Sequence, residues 1–347
     1  SATATTDGIT VDTDVPVISS VIEGSLTADI DYQNSDTTLI IDWSGSDAAS
    51  GIAQYEYALG TASGEANTVT WTSAGLDTFT TLTGINLTEG TTYYASARAT
   101  DVAENLSAVA SGDGITIDLT APLVGTVIDG TGEDIAFTGS DSTLTAEWTG
   151  FSDAVSGIEG YEAAIGTSSG GTEVLDWTSV GEGTSWTKTG LSLEHATMYY
   201  LSVRAKDVAG NMSMHTTTNG VLVDTEPPGS VVDISADYYN AEGWDADVQI
   251  HGTAFDEHAG LSHMEVSIRN TGSDLQWNGS SWVGSEEWLS ASGTDSWTYE
   301  HSSANLTDGA AYEVRSRGSD NVGNVEISYG SDTFIYDISE PNCDFTI

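Results

Sequence analysis

The chain has 347 residues, of which 53 are acidic and 7 basic, giving a formal net charge of −46. That balance excludes a nucleic-acid or anionic-membrane surface, either of which needs Lys and Arg against phosphate. Hydrophobic residues make up 38% and aromatics 9% of the chain; they are evenly spread, which excludes a disordered acidic tail. No apolar run of about 18 residues suggests a membrane span, and a single cysteine, Cys343, excludes an internal disulfide framework.

In chain order, the first recurring feature is an Asp followed by Pro within five residues: Asp12 and Pro16, Asp118 and Pro122, Asp224 and Pro227, Asp337 and Pro341. These aspartates lie 106, 106 and 113 residues apart, so the period divides the chain into three units of ordinary domain size. The expected boundaries are 13–118, 119–224 and 225–337. Residues 1–10 align without gaps on residues 107–116, so 1–12 read as the last strand of a preceding domain and 338–347 as the start of a following one. Residue 1 thus reads as mid-array, and a missing signal peptide says nothing about export.

Helical periodicity is nearly absent, and short alternating runs broken by Gly, Ser, Thr, Asn and Asp predict an all-β sandwich. In unit one the expected strands are Val17–Ile22, Thr37–Trp43, Ile52–Leu59, Val69–Trp71, Thr78–Leu82, Thr92–Thr100 and Gly114–Asp118. Unit two repeats them at Leu144–Trp148, Ile158–Ile165, Leu175–Trp177, Met198–Lys206 and Gly220–Asp224. The sixth strand is the strongest repeat. It reads Ser96-Ala97-Arg98-Ala99-Thr100-Asp101 in unit one, Ser202-Val203-Arg204-Ala205-Lys206-Asp207 in unit two, and ends at Asp320 in unit three. A Tyr stands eight residues before each Asp (Tyr93, Tyr199, Tyr312) and a Leu six residues before each Tyr (Leu87, Leu193, Leu306).

Unit three departs from this pattern. Ala254-Phe255 replaces the Trp that closes the second strand (Trp43, Trp148), and Leu275–Trp282 is an insertion. Asn278-Gly279 predicts a two-residue hairpin turn, which would set Leu275 opposite Trp282 and Trp277 diagonal to Trp282.

Trp43 and Trp148, the Leu87-x-x-Gly90-x-x-Tyr93 run, and the Ala-Arg-Ala-x-Asp end with its Val-Ala-Gly-Asn continuation in unit two resemble fibronectin type III-like and bacterial Ig-like domains. The resemblance implies a tandem array of three Ig-like/fibronectin type III-like β-sandwich domains. Such repeats are typical of long extracellular arrays: adhesins, surface layers, and modules appended to secreted enzymes. It speaks for fold more than function, and implies a non-enzymatic extracellular array, its partners being neighbouring domains or copies of the same protein.

Three constellations carry chemistry. The first is a set of acidic loops, which this sandwich type would gather at one end with the incoming linker. It comprises Asp12, Asp14, Asp47, Asp101 and Asn105 in unit one, then Asp118, Asp153, Asp207 and Asn211 in unit two. Unit three offers Asp224, Glu226, Asp256, Asp320 and Asn324. Carboxylates, an amide and backbone carbonyls make an oxygen cage suited to Ca²⁺ at six to eight ligands, and converging carboxylates repel unless a cation neutralises them. Asp, Asn and Gly are also ordinary turn residues; recurrence alone does not separate the readings. A bound ion would fix the angle between neighbours.

The second is a Glu–Arg pair (Glu56 with Arg98, Glu162 with Arg204, Glu265 with Arg317), which takes three of the five arginines and points to a structural job. The third is aromatic. Trp71, Trp177 and Trp288 recur at the fourth strand as packing, while Trp244, Trp277, Trp282 and Trp288 enrich unit three. An exposed coplanar set would stack on a surface glycan; packed Trp would close a core. His251, His258 and His263 match no strong zinc spacing, and the Tyr93 series reads as a tyrosine corner. Five sequons, at Asn86, Asn105, Asn211, Asn278 and Asn305, matter only in a glycosylating host; a glycan at Asn105 or Asn211 would compete with Ca²⁺. No nucleophile–base pair, phosphate loop or cofactor fingerprint is present. Carbohydrate binding, or a role as accessory domains of a secreted enzyme, stands as the alternative to a structural stalk.

Overall fold

The computed structural model describes residues 8–245 and 250–341. Unit one consists of β1 (Val17–Glu23), β2 (Tyr32–Gln33), β3 (Thr38–Ser46), β4 (Ile52–Gly60), β5 (Val69–Gly75), β6 (Phe79–Thr83), β7 (Thr92–Asp101), β8 (Ala110–Ser111) and β9 (Ile115–Ile117). They form two facing sheets. One has the order β1-β3-β6; the other is β2-β9-β7-β4-β5, with β8 also on β7. Strand β5 pairs with β4 and not with β6.

Alternation builds the core. In β3, Leu39, Ile41 and Trp43 point inward, and in β7 Tyr93, Ala95, Ala97 and Ala99 do. A two-residue period puts each set on one face. The alanines of β7 leave room for the Trp43 ring opposite, which stacks on Tyr57 at 5.8 Å.

Unit two repeats this in β10 (Thr126–Asp129), β11 (Phe137–Thr138), β12 (Thr143–Thr149), β13 (Ile158–Gly166), β14 (Leu175–Gly181), β15 (Ser185–Thr189), β16 (Met198–Asp207), β17 (Thr216–Thr217) and β18 (Val221–Val223). Its sheets are β10-β12-β15 and β11-β18-β16-β13-β14, with β17 on β16.

Unit three holds β19 (Gly229–Asp233), β20 (Tyr238–Tyr239), α1 (Ala241–Asp245), β21 (Ile250–Phe255), β22 (Leu261–Asn270), β23 (Leu275–Trp277), β24 (Trp282–Val283), β25 (Leu289–Ser290), β26 (Ser296–Tyr299), β27 (Ala310–Asp320) and β28 (Gly330–Tyr336). Sheet β19-β21-β26 faces β20-β28-β27-β22-β23-β24, with β25 on β22. The chain is therefore all-β apart from α1 and one 3₁₀ turn among the described residues, in three tandem sandwiches.

Several elements differ from the sequence expectations. The short strands β2, β11 and β20 run parallel to β9, β18 and β28; at two residues each they are too brief for an alternating pattern to show. The inserted hairpin pairs Trp277 directly with Trp282, and Leu275 lies opposite Asn270 instead. The reason is Asn278, whose Oδ1 accepts from the Ser280 and Ser281 amides at 3.0 and 2.8 Å. Its own N–H reaches the Ser281 carbonyl at 3.0 Å, closing a four-residue loop. The terminal strands expected in 1–12 and 338–347 fall largely on residues outside those described; residues 8–16 and 337–341 form no strand.

Candidate functional site

Each sandwich end carries a loop whose fold is set by its aspartate. Asp47 accepts from the Ala49 and Gly51 amides at 3.1 and 2.7 Å, and Gly51 turns the chain back at φ +86°, where a side chain would be strained. Asp153 and Asp256 do the same for Gly157 and Gly260 at 3.0 and 2.7 Å. At the end of the Arg-bearing strand, Asp101, Asp207 and Asp320 accept from the backbone N–H of Asn105, Asn211 and Asn324 at 2.7, 2.7 and 2.8 Å. The linker aspartates Asp12, Asp118 and Asp224 reach across and accept from Ser50, Ser156 and Ala259 at 2.9, 3.1 and 2.9 Å.

The result is three carboxylate triads: Asp12–Asp47–Asp101, Asp118–Asp153–Asp207 and Asp224–Asp256–Asp320. In each, one oxygen per residue lies within 4.8 Å of the others. Asp101, Asp118, Asp207, Asp224 and Asp320 are buried, and Asp47 Oδ1 is buried without a partner. Burial, opposed by the Asn211 hydrogen bonds and reinforced by the charge of Asp118, leaves the Asp207 carboxyl above its ordinary value. Three hard oxygen donors suit Ca²⁺ in kind.

Asp14 and Glu226 do not join the triads. Asp14 offers its N–H to Asp12 at 3.0 Å, and Glu226 is exposed, facing His195 at 3.6 Å. Asn105, Asn211 and Asn324 turn their Nδ2 inward, donating both to the neighbouring Asp at 2.8, 2.8 and 2.6 Å and to the linker carbonyl of Asp12, Asp118 or Asp224 at 3.3, 2.9 and 2.9 Å. The amide nitrogens thus tie linker to loop, and each Asn keeps Oδ1 as the oxygen it could offer a cation.

A second tie was not expected from the sequence. Glu89 accepts from Leu119 N–H at 2.6 Å, His195 from Thr225 N–H at 3.1 Å, and Asp308 from Ile338 N–H at 2.8 Å. The three residues are 106 and 113 positions apart, the same period as the linkers. His195 also stacks on His258 of the next unit at 5.1 Å.

A fourth cluster was also missed: Glu23, Asp29 and Asp113. Burial above all, with Asp29 and Asp113 adding charge, pushes the Glu23 carboxyl up to about 7. The visible signal was an acid in the inward register of β1, two residues after Val21.

The Glu–Arg pairs stand directly opposite each other across strands, with Nε to carboxylate distances of 2.7, 2.8 and 2.7 Å. Each guanidinium also lies 4.3 Å over a ring, that of Trp71, Trp177 or Trp288. Those three Trp residues serve the Arg. Trp277 is buried and Trp282 half-buried against the same core, with Trp244 beside Phe334, so unit three presents no flat Trp platform from them. His251, His258 and His263 do not converge: they lie against Asp233, His195 and Ser262. Tyr93, Tyr199 and Tyr312 each accept, through the hydroxyl, an amide N–H five residues upstream at 3.0, 2.9 and 2.8 Å.

That bond is the tyrosine corner, and with the sheet order it decides the fold. The chain is a tandem of fibronectin type III-like β-sandwiches. No protein-family model matches it. It is 30% identical over 269 residues to Exoglucanase B of Cellulomonas fimi, covering 73% of this chain and 21% of that protein. It is 36% identical over 150 residues to Chitinase A1 of Niallia circulans, covering 43% and 19%. The chain thus spans about a fifth of the length of these relatives. The FN1–FN3 domains of chicken CNTN1 align over 93% of this chain and 97% of theirs at 17% identity, with a TM-score of 0.29; a score that low leaves the fold resting on the strand order.

Proposed function

We propose that the chain is a non-catalytic run of accessory sandwiches in a secreted polysaccharide-degrading enzyme, spacing and orienting what it joins. The observation that carries this reading is the length of the match to Exoglucanase B. At 269 residues it exceeds two 106-residue periods, so what is shared is an array of units and not one common fold. The relatives are named an exoglucanase and a chitinase, which supports a setting beside cellulose- or chitin-directed chemistry, and with it we propose an extracellular location. Reading the gene on both sides of this segment tests it. A glycoside hydrolase domain in frame is expected; further sandwiches leading to a surface anchor would overturn it and return a stalk for an adhesin, filament or surface layer.

The junctions are where this function is set. Each triad joins a linker aspartate to two loops of the following sandwich, so an ion held there stiffens the hinge. Ca²⁺ fits the donors, and binding to the native state alone raises the melting temperature by mass action. Calorimetry in 2 mM CaCl₂ against excess EDTA, at fixed ionic strength, should show a rise that Asp153→Asn diminishes. An unchanged melting curve would leave the aspartates as turn formers.

A further inference from the structure

The Glu23 cluster lies inside unit one, away from any junction. Glu23 ends β1 with its side chain fully buried. Oε1 accepts from the Ala95 amide at 2.8 Å, whereas Oε2 is buried with no partner at all. Gly112 makes room for it, since a side chain there would collide with the carboxylate. Asp29 accepts from the Glu23 N–H at 3.0 Å, and one oxygen from each of Glu23, Asp29 and Asp113 lies within 4.8 Å of the others. Asp29 and Asp113 are exposed, so the pocket is walled by the sheets on one side and open to water on the other.

Unit two builds the same place with one carboxylate fewer, and unit three buries its acid elsewhere. In unit two the corresponding residues are Asp129, Asp134 and Asn219. Asn219 Nδ2 donates to Asp134 at 2.8 Å, and the Gly220 amide donates to Asp129 at 3.1 Å. Asp129 Oδ1 is buried without a partner there too, but an amide faces Asp134 and only two carboxylates meet. Unit three buries an acid at a different place, Glu326, where the other units carry Ser107 and Ser213, and saturates it: Ser230 N–H and Oγ donate at 2.9 and 2.6 Å, and Gly318 N–H at 3.0 Å. In unit one Asp113 stands where Asn219 would donate. Three carboxylates converge, one of them buried with an unused oxygen, and an orphaned buried oxygen is costly.

We propose that Glu23, Asp29 and Asp113 hold a divalent cation of the hard, oxygen-seeking class, Ca²⁺ foremost, as a staple between the two sheets of unit one. Glu23 belongs to the β1-β3-β6 sheet, while Asp113 lies between two strands of the other. Water completes the coordination on the open side. The site is independent of the junctions: Ala95, beneath it, is six residues along β7 from Asp101, roughly 20 Å at the rise of a strand.

The test is a count of Ca²⁺ bound per chain, by equilibrium dialysis of the whole chain in calcium-free buffer at fixed ionic strength, alongside calorimetry. Asp113→Asn, the residue unit two carries at this place, is expected to bind one ion fewer and to lose the Ca²⁺-dependent part of the unit-one transition. Asn219→Asp, which completes three carboxylates in unit two, is expected to gain one ion. If the junction triads bind nothing, the native chain still takes up one ion and Asp113→Asn abolishes it, so the two readings fail separately. The proposal is overturned if Asp113→Asn leaves the ion count unchanged, or if it stabilises unit one in EDTA while Ca²⁺ shifts neither protein. A proton shared among the carboxylates would then hold the cluster.

Discussion

Units one and two fill the centre of the sandwich from the second long strand, through Trp43 of β3 and Trp148 of β12. Unit three fills it from the strand alongside, through Trp297 of β26. All three rings are at most 2% exposed. In unit three the second long strand yields the space: Ala254 is small, Phe255 turns out to solvent at 69% exposure, and a side chain at Gly252 would collide with the Trp297 ring. The difference teaches that a sandwich keeps its core volume while the position supplying it moves between neighbouring strands, because packing constrains space and not sequence order. Trp244, Trp277 and Phe334 then extend the unit-three core, which is why its Trp-rich insertion packs inward.

The sharpest way to break this comparison is to remove the rings. Trp297→Ala should cost unit three about 3–5 kcal/mol, as much as Trp43→Ala costs unit one. Phe255→Ala, despite its place in the sequence pattern, should stay within about 0.5 kcal/mol. Calorimetry resolving the unit transitions checks both. A large loss from Phe255→Ala would mean the Trp297 exchange is misread.

A second difference is protonic. His301 sits edge-on to Trp277 at 5.0 Å with Nε2 buried and unpartnered, and burial holds its pKa down to about 4. An unfolded His takes its proton near 6.5. The folded form therefore binds fewer protons between these values, and stability present above about 6.5 is lost as pH falls towards 4. Unit three should show this acid sensitivity, and His301→Gln should flatten it. An acid limb unchanged in the variant would point to the carboxylates instead.

The shared features give smaller effects. Tyr93→Phe and Tyr312→Phe each remove one hydrogen bond to an amide, an expected loss of about 1 kcal/mol in either unit. Arg98→Lys keeps the charge but gives up the fork and the Trp71 stack, with a loss under about 1 kcal/mol. Urea titrations of the three single variants suffice, and a loss several times larger from Arg98→Lys would make the Arg a central element of the sheet.

What the sequence revealed follows from which interactions are local. The long strands showed as alternation, the Glu–Arg ladder as fixed offsets on neighbouring strands, and the tyrosine corner as a constant spacing to Leu and Asp. The triads were legible because the period repeats Asp12, Asp47 and Asp101 at equivalent places. The linker ties of Asn105, Asn211 and Asn324 were not, since they depend on the linker carbonyl across the gap. Glu23 was hidden among 53 acids, and only the Ala95 amide and Gly112 opposite it mark it as buried. The hairpin register was misread because Asn278 spends its side chain on closing a longer loop.

On the reading proposed above, the junction triads set the geometry between units. The most direct measurement is the inter-unit distance distribution, by fluorescence energy transfer between dyes on the exposed residues Ala49 and Ala154, with Ca²⁺ and with EDTA. One narrow distribution is expected in Ca²⁺ that broadens in EDTA, and Asp207→Asn should broaden it even in Ca²⁺. Equal widths in both solutions would contradict it.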